Sequence, residues 1–334
     1  MAGLFSVILA TRNRPELFGD ALNSVLNQTY QGFEIIVVDD GSDAQYSENY
    51  NNLFNSIAGE RPDIETKLLR LAQRDKGHGQ SYSLNEGSKF ASNEFLCFLD
   101  DDDFWIEPCY LEQVANNLCD MPSIDLYMSN QQALLLGKPL TQPVWLENLP
   151  NTFNRFPPKS ISANIWLVSV DNLMNIDGFC HLNCLVIRKK LFFAIGGMDE
   201  NIRWECDRDL YLRAINQANQ IIFNPNVVSH HRVPDKSKQS NMTTALSEVD
   251  RRLYQLRVFE KAVIYAKHPL IRNMAKCQLV YTLKHIAEQL FKSGNYTAGS
   301  HFGWQALGAR FSFKWLAYLV VQFLKNKLSF KMIG

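Results

Sequence analysis

The stretch Phe95-Leu96-Cys97-Phe98-Leu99-Asp100-Asp101-Asp102-Asp103-Phe104-Trp105 decides the reading of this chain. Its first five residues form a continuous apolar run, the pattern of a strand buried on both faces. That strand delivers four consecutive carboxylates at its C-terminal end. Adjacent anions repel one another, so a folded protein tolerates such a run mainly where something positive arrives. A hard divalent cation carrying a phosphate-bearing ligand meets that need. Acidic runs also occur on solvated helices and in disordered tails, but those settings have no hydrophobic strand leading into them.

Working outward, the first half alternates strands and helices. Phe5 to Ala10 is a short apolar strand, and Pro15 opens a helix whose Phe18, Leu22, Val25 and Leu26 share one face. Phe33 to Val38 is a second buried strand ending in Asp39-Asp40-Gly41-Ser42. Lys67 to Ala72 is a third strand, Ser81 to Phe90 a helix, and Phe95 to Leu99 the fourth strand. Strands separated by helices predict an α/β fold, a mostly parallel sheet flanked by helices, with ligands bound beyond the carboxyl ends of the strands. Three polar clusters fall at those ends: Thr11-Arg12-Asn13-Arg14, Asp39-Asp40 and Asp100 to Asp103.

Composition bounds the partners. A chain of 334 residues suffices for one large α/β domain plus an appendage. Its formal net charge is zero, so no global field draws nucleic acid. The seven cysteines form no Cys-x-x-Cys pair, and several lie in apolar segments, as expected of reduced, buried thiols in a cytoplasmic protein. Met1 to Phe5 runs into the first strand with no basic leader, so no signal peptide is expected and the Asn-x-Thr triplets at Asn27, Asn241 and Asn295 read as coincidence.

Between Gly137 and Pro158, five prolines interspersed with Trp145, Phe153 and Phe156 predict a long irregular segment. It is either a lid whose aromatics stack on sugar faces or an ordinary insertion. Order then returns with a strand over Asn183 to Ile187, a helix over Arg188 to Phe193 and a turn at Gly196-Gly197. A helix starts at Asp207, with Leu210, Ala214 and Ala218 spaced by four. Capping its N-terminus requires one acid, and the segment offers Glu205, Asp207 and Asp209, so a catalytic carboxylate is favoured there. His230-His231-Arg232 follows the strand-like Gln220 to Val228 and offers a late metal ligand, a phosphate clamp or simple loop histidines. The polar Pro234 to Ser240 is expected to act as a lid.

From Thr243 the chain turns helical, with Leu253, Leu256, Phe259, Ala262 and Val263 on one face. After Glu288 the sequence holds no acidic residue, while Lys292, Arg310, Lys314, Lys325, Lys327 and Lys331 surround the apolar run Trp315 to Leu324. That run is too short to span a bilayer. A helix lying peripherally in the membrane interface is one reading, and a core or dimer helix is the other.

Taken in order, Ser-Val-Ile-Leu-Ala-Thr-Arg-Asn-Arg-Pro (6–15), Val-Val-Asp-Asp-Gly-Ser (37–42), Asn85-x-Gly87, Phe-Leu-Asp-Asp-Asp-Asp-x-Trp (98–105), Gly-Gly-Met-Asp-Glu (196–200) and Cys-Asp-Arg-Asp-Leu (206–210) closely resemble glycosyltransferase family 2. The resemblance covers about residues 4 to 235 and implies a GT-A fold, placing the domain over 1–240 with a helical C-terminal region over 241–334. It also implies a nucleotide-diphosphate-sugar donor, UDP-linked by first expectation, and Mn²⁺ or Mg²⁺ as cofactor. It further implies transfer of the sugar with inversion to a hydroxyl of a glycan or lipid-linked acceptor, with bacterial surface polysaccharide biosynthesis as the expected setting and a cytoplasmic protein, peripheral on the cytoplasmic face of the inner membrane in one reading.

Carried over residue by residue, the resemblance has Thr11, Arg12, Asn13 and Arg14 frame the nucleotide and Asp40 accept a hydrogen bond from the base, while Asp39 orients the loop. Asn85 matches the family's Asn-x-Gly, but Leu84 stands where many relatives carry an arginine, and Arg74, Lys76 or His78 is a candidate for the missing charge. Asp100 would contact ribose or bound water, and Asp101 occupies the variable, replaceable place of the acidic pattern on the nucleotide side. Asp102 and Asp103, with His231, would hold the metal. Asp207 takes the base position, although the usual Glu-Asp pair reads Cys206-Asp207. Two other classes fit a similar sheet. A sugar nucleotidyltransferase would carry a Gly-rich basic loop after the first strand, which residues 10–15 lack, and the third possibility is a non-catalytic sugar- or nucleotide-binding relative.

Overall fold

The computed structural model describes residues 3–119, 121–233 and 242–331. The chain divides into two compact units, residues 1–235 and 236–334. The boundary expected at 240 and the observed one both fall within residues 234–241, outside the described residues, as does the segment Pro234 to Ser240 read as a lid.

The first unit is built on one mixed sheet. Its strands are β1 (Phe5–Thr11), β2 (Phe33–Asp39), β3 (Glu65–Arg70), β4 (Phe95–Asp100), β5 (Phe104–Trp105), β6 (Ile124–Leu135), β7 (Lys138–Pro139), β8 (Lys159–Ser162), β9 (Ile165–Val168), β10 (Leu185–Arg188) and β11 (Gln220–Arg232). They run in the order β3-β2-β1-β4-β10-β6-β11-β9-β8, with β5 on β11 and β7 on β6. β3, β2, β1 and β4 are mutually parallel, β10 is antiparallel to both β4 and β6, and β11 returns parallel to β6. The sheet is therefore parallel over its N-terminal half and mixed beyond it.

The helices of this unit are α1 (Pro15–Leu26), α2 (Ser47–Glu60), α3 (Gln80–Lys89), α4 (Tyr110–Leu118), α5 (Val170–Leu173), α6 (Lys189–Ala194) and α7 (Cys206–Gln217). The expected face of α1 is the buried one: Phe18, Leu22, Val25 and Leu26 are all in the core, each contributing about 1.5–3 kcal/mol on burial. α3 approaches the sheet closely through Gly87, where any side chain would run into Ile8 and Val38. Polar ties hold the strand ends in register. Buried Glu34 accepts hydrogen bonds from Ser6 Oγ and Lys67 Nζ, each at 2.6 Å, and from the Ser92 N–H. Between residues 137 and 158 regular structure is limited to β7 and a 3₁₀ turn at Leu149–Thr152. The aromatics of this segment are committed internally: Trp145 is buried, and the Phe153 ring packs edge-on against Trp166.

The second unit contains α8 (Met242–Ala245), α9 (Glu248–Tyr265), α10 (Pro269–Lys292), α11 (Tyr296–Ala309) and α12 (Phe313–Lys331). Side-chain caps start three of them, with Ser247 bonding the Asp250 N–H, His268 the Leu270 N–H and Asn295 the Ala298 N–H. Leu256, Leu283, Ile286, Phe291, Trp315 and Leu319 form its core. Leu256, Phe259 and Ala262 of the expected α9 face are buried, whereas Leu253 is exposed. α11 and α12 pack where Gly303 leaves room for Leu319, and the Trp315 indole N–H donates to the Gly303 carbonyl at 2.9 Å. No helix among the described residues is long and apolar enough to cross a membrane.

Candidate functional site

The four aspartates leave β4 in a tight turn, closed by the Asp103 N–H donating to the Asp100 carbonyl at 3.1 Å. This turn separates carboxylates that are adjacent in sequence. Asp101 and Asp102 face Arg14, whose guanidinium bonds Asp101 at 2.6 Å and Asp102 at 2.9 Å. Asp100 and Asp103 face the other way, onto two residues that sequence reading missed. Asn183 donates from Nδ2 to Asp103 at 2.6 Å and accepts the Asp100 N–H at 3.0 Å. His181 Nε2 lies 3.8 Å from Asp100 and 3.6 Å from Asp207. Both belong to a short 3₁₀ turn over 182–184 and its cap, about eighty positions downstream, and no local motif marks them.

The expected metal ligands Asp102, Asp103 and His231 all lie at the cluster. His231 Nδ1 bonds Asp103 at 2.7 Å, and the Arg232 N–H bonds the other oxygen of Asp103 at 2.7 Å. Asp102 is engaged by Arg14. The group whose ligand atoms converge is instead Asp100, Asp103 and His181, all within 4.8 Å of one another. Asp103 is common to both sets. Trp145 closes this side, its ring edge-on to His231 with centroids 5.4 Å apart and to His181 at 6.1 Å. Trp145 of the proline-rich segment thus packs on the site's histidines. Asp101, expected to be replaceable, is a buried carboxylate bonded to Arg14 at the end of the Thr11–Arg14 turn.

The three acids of the 205–209 segment separate cleanly. Asp209 is fully buried and paired with Arg213 at 2.6 Å. Glu205 precedes α7 in the left-handed region, at φ 58°, with Arg208 3.5 Å away. Asp207, in the first turn of α7, comes within 3.6 Å of His181 Nε2. Gln80, a further residue unmarked in the sequence, bonds Asp100 at 2.6 Å and contacts the Cys206 thiol.

On the other flank, Thr11–Arg14 meets the loop after β3. The Arg12 guanidinium donates to the Arg74 and Asp75 carbonyls. Asn13 (φ 57°) donates from Nδ2 to the Asp43 carboxylate and accepts the Asp43 backbone N–H on its amide oxygen, each at 2.8 Å. Arg12, Asn13, Asp43, Gln73, Arg74 and Asp75 line a cleft of about 590 Å³. Of the three candidates for a compensating charge, Arg74 stands in its wall. Asp40 accepts the His78 and Gly79 N–H groups, one on each oxygen, and Gly77 (φ 62°) lets the loop close over it. Asp39 accepts the Ser42 N–H. Both acids thus anchor loops at the cleft. Asn85 turns elsewhere: its amide pairs with the Met198 backbone on both sides and with Glu200, fixing the Gly196-Gly197 turn. Asn85, assigned to nucleotide binding by the Asn-x-Gly resemblance, makes these contacts to the turn.

Electrostatics single out the cluster as short of positive charge. Burial, then Asp103 and Asp102, push the Asp100 carboxyl well above its ordinary range. Burial likewise raises Asp101 to about 7 against the opposing pull of Arg14. Burial opposes ionisation of Asp103, but the bond and charge of His231, with His181 and the Arg232 N–H, together hold it below its ordinary value; burial likewise opposes the His231 imidazolium, which Asp103 and the neighbouring aspartates lift to about 9. Burial lowers His181, keeping its imidazole neutral and fit to donate a lone pair. Two carboxylates and a neutral imidazole suit a hard or borderline divalent ion, whose charge would let Asp100 ionise.

The family model described as glycosyl transferase family 2 matches residues 6–165. The glucosyl-dolichyl phosphate glucuronosyltransferase of Haloferax volcanii is 24% identical over 68% of this chain and 69% of its own length. The UDP-Glc:α-D-GlcNAc-diphosphoundecaprenol β-1,3-glucosyltransferase WfgD of Escherichia coli is 34% identical over 31% of this chain. Several curated relatives are matched over about a third of their length. Among solved structures, S. aureus TarS 1–349 in complex with UDP-GlcNAc shares the fold at a TM-score of 0.60 and 17% identity, over 91% of this chain and 81% of that one. The mannosyltransferase PcManGT from Pyrobaculum calidifontis, in complex with GDP-Man and Mn²⁺, does so at 0.58 and 17%, over 96% and 79%.

Proposed function

The chain belongs to glycosyl transferase family 2, and from that premise we propose that it transfers a sugar, with inversion, from a nucleotide-diphosphate donor to a hydroxyl of a glycan or lipid-linked acceptor. The placement of Asp207 beside the Asp100, Asp103 and His181 group carries this reading. It sets a carboxylate next to the point where the diphosphate of a donor would be held. Inversion needs a single displacement, so one group must remove the acceptor proton as its oxygen attacks the anomeric carbon. Asp207 is that base. Asp209, paired with Arg213, is not available for the task.

The cleft at Arg12, Asn13, Gln73 and Arg74 takes the nucleoside, and the aspartate turn lies at the diphosphate. Asp100, Asp103 and His181 hold Mn²⁺ or Mg²⁺, with Asn183 and His231 fixing the Asp103 carboxylate. When bound, the ion supplies charge that stabilises the departing nucleotide diphosphate. UDP-sugar is the favoured donor, supported by the TarS complexes with UDP and UDP-GlcNAc and by the UDP-Glc named for WfgD. The acceptor named for WfgD, a diphosphoundecaprenol-linked sugar, supports a lipid-linked acceptor; polysaccharide biosynthesis at the cytoplasmic face of the membrane is the setting we propose for it.

Asp207→Asn tests the assignment. Transfer falls by at least about a hundredfold, the scale of a positioned general base, while donor binding, read by calorimetry, stays within a few-fold. Collapse of donor binding instead would give Asp207 a structural role and leave the base elsewhere.

A further inference from the structure

The second unit carries an apolar surface that its own core does not use. Trp315 and Leu319 of α12 face inward and are buried. At about 100° per residue, Phe313, Ala317, Val320, Val321, Phe323 and Leu324 fall on the opposite side of the helix within an arc of roughly 160°. All six are exposed, Phe313 by 80% and the larger residues from Val320 onward by about half. The arc begins at Phe313, whose ring packs edge-on against the exposed Phe311. α12 is thus apolar on both sides, one turned to the core and one to the surroundings.

On α12 itself the charged fringe of this face is of one sign. Lys314 and Lys325 lie along one edge of the arc at the same helical spacing, and Arg310 precedes the helix. No acidic residue occurs anywhere from 289 to 334. A second copy docking here antiparallel, about a two-fold axis perpendicular to the helix, would bring these cations against their own counterparts, which disfavours that isologous dimer. An anionic lipid surface offers the complementary charge to the fringe and an apolar layer to the arc. Since no described helix can cross a bilayer, the geometry is that of a helix lying in the interface plane.

We infer that the outer face of α12 docks on anionic lipid bilayers, with Phe313, Val320, Val321, Phe323 and Leu324 entering the acyl boundary and Arg310, Lys314 and Lys325 meeting the headgroups. This inference stands on the second unit alone and is independent of the sugar-transfer reading.

The test is co-sedimentation of the full chain with vesicles of phosphatidylcholine mixed with phosphatidylglycerol, against phosphatidylcholine alone. Binding is expected to the anionic vesicles, weaker to the neutral ones, and reduced by salt. Val320→Asp with Leu324→Asp should lower partitioning by at least about tenfold, because two charges replace apolar area entering the boundary. Lys314→Glu with Lys325→Glu should weaken binding to anionic vesicles several-fold and leave the neutral ones unchanged. All four positions are exposed, so an unchanged helical circular dichroism spectrum accompanies either result. Three outcomes overturn the inference: no sedimentation with either vesicle, variants that sediment like the unsubstituted chain, or a lipid-free dimer that the apolar-face substitutions convert to monomer.

Discussion

Asn183 is the residue on which the shape of the aspartate cluster depends most, and Asn183→Leu removes its function at nearly constant volume. Buried to 1% exposure, its amide donates to Asp103 at 2.6 Å and accepts the Asp100 N–H at 3.0 Å. The first is a hydrogen bond to a charged group, contributing about 1.5–3 kcal/mol, and losing the second strands a buried backbone donor at about 1–3 kcal/mol. Some relaxation is expected, so the substitution should cost about 3–4 kcal/mol. In a unit of this size that is a fall in Tm of about 6–16 °C, at about 2–4 °C per kcal/mol. Calorimetric melting of the full chain reads it directly. The same residue orients a proposed metal ligand, so Mn²⁺ affinity by titration calorimetry should drop about 10–100-fold, the usual effect of removing an outer partner of a ligand. A variant melting within about 3 °C of the unsubstituted chain, on the same scale, refutes the structural part of the reasoning. Unchanged Mn²⁺ affinity with lowered stability refutes the ligand assignment alone.

Asp101→Ala should destabilise the chain by about 2 kcal/mol or more, since Arg14 loses one of two charged partners at a buried turn; chemical denaturation at an unchanged midpoint would return Asp101 to the dispensable position its place in the pattern implies. Glu34→Gln should cost about 1–3 kcal/mol at neutral pH, less than a fully orphaned ion, because Lys67 keeps Ser92 and Glu65 as partners. The Ser6, Lys67 and Ser92 bonds overcome burial and hold the Glu34 carboxyl below its ordinary 4.5. Its stabilisation is therefore present above pH 4.5 and lost as pH falls through the lower folded value. Melting curves of Glu34→Gln should accordingly lose part of their acid dependence below pH 4.5, and parallel pH profiles for the two proteins would contradict this.

How much of this was legible beforehand depends on whether a feature is local. β1, β2 and β4 announced themselves because buried parallel strands are short, unbroken apolar runs. α2 did not, since Ser47-Glu48-Asn49-Tyr50-Asn51-Asn52 is too polar to show periodicity, though Tyr50 is buried and reaches Thr11. β6 was hidden for the opposite reason: Ser129, Asn130 and Gln131 place polar side chains inside the sheet, where Asn183 and the Pro225 carbonyl take up two of their bonds. In the site, sequence order located the four aspartates but not their directions. The turn from Asp100 to Asp103 pairs the first carboxylate with the fourth and gives the middle two to Arg14. The pattern alone favours Asp102 for the metal, whereas the ligand atoms that converge in the fold are those of Asp100, Asp103 and His181. His181 and Asn183 come from a distant turn as isolated residues, so only the folded sheet brings them in. Asp207 was within reach of sequence reasoning, and the burial of Asp209 against Arg213 is what separates the two.

The central claim is that the aspartate turn and the adjoining cleft form a metal-assisted nucleotide-sugar site. The most direct measurement is a thermal-shift titration of the full chain with UDP-, GDP- and dTDP-sugars, each with and without Mn²⁺. The expected result is stabilisation by at least one nucleotide sugar, greatest for a UDP-sugar, that requires the metal and is lost in Asp103→Asn. Ligand at a hundred times its Kd should add about 2.7 kcal/mol. No metal-dependent stabilisation by any of the sugars, or stabilisation that Asp103→Asn leaves intact, would contradict it.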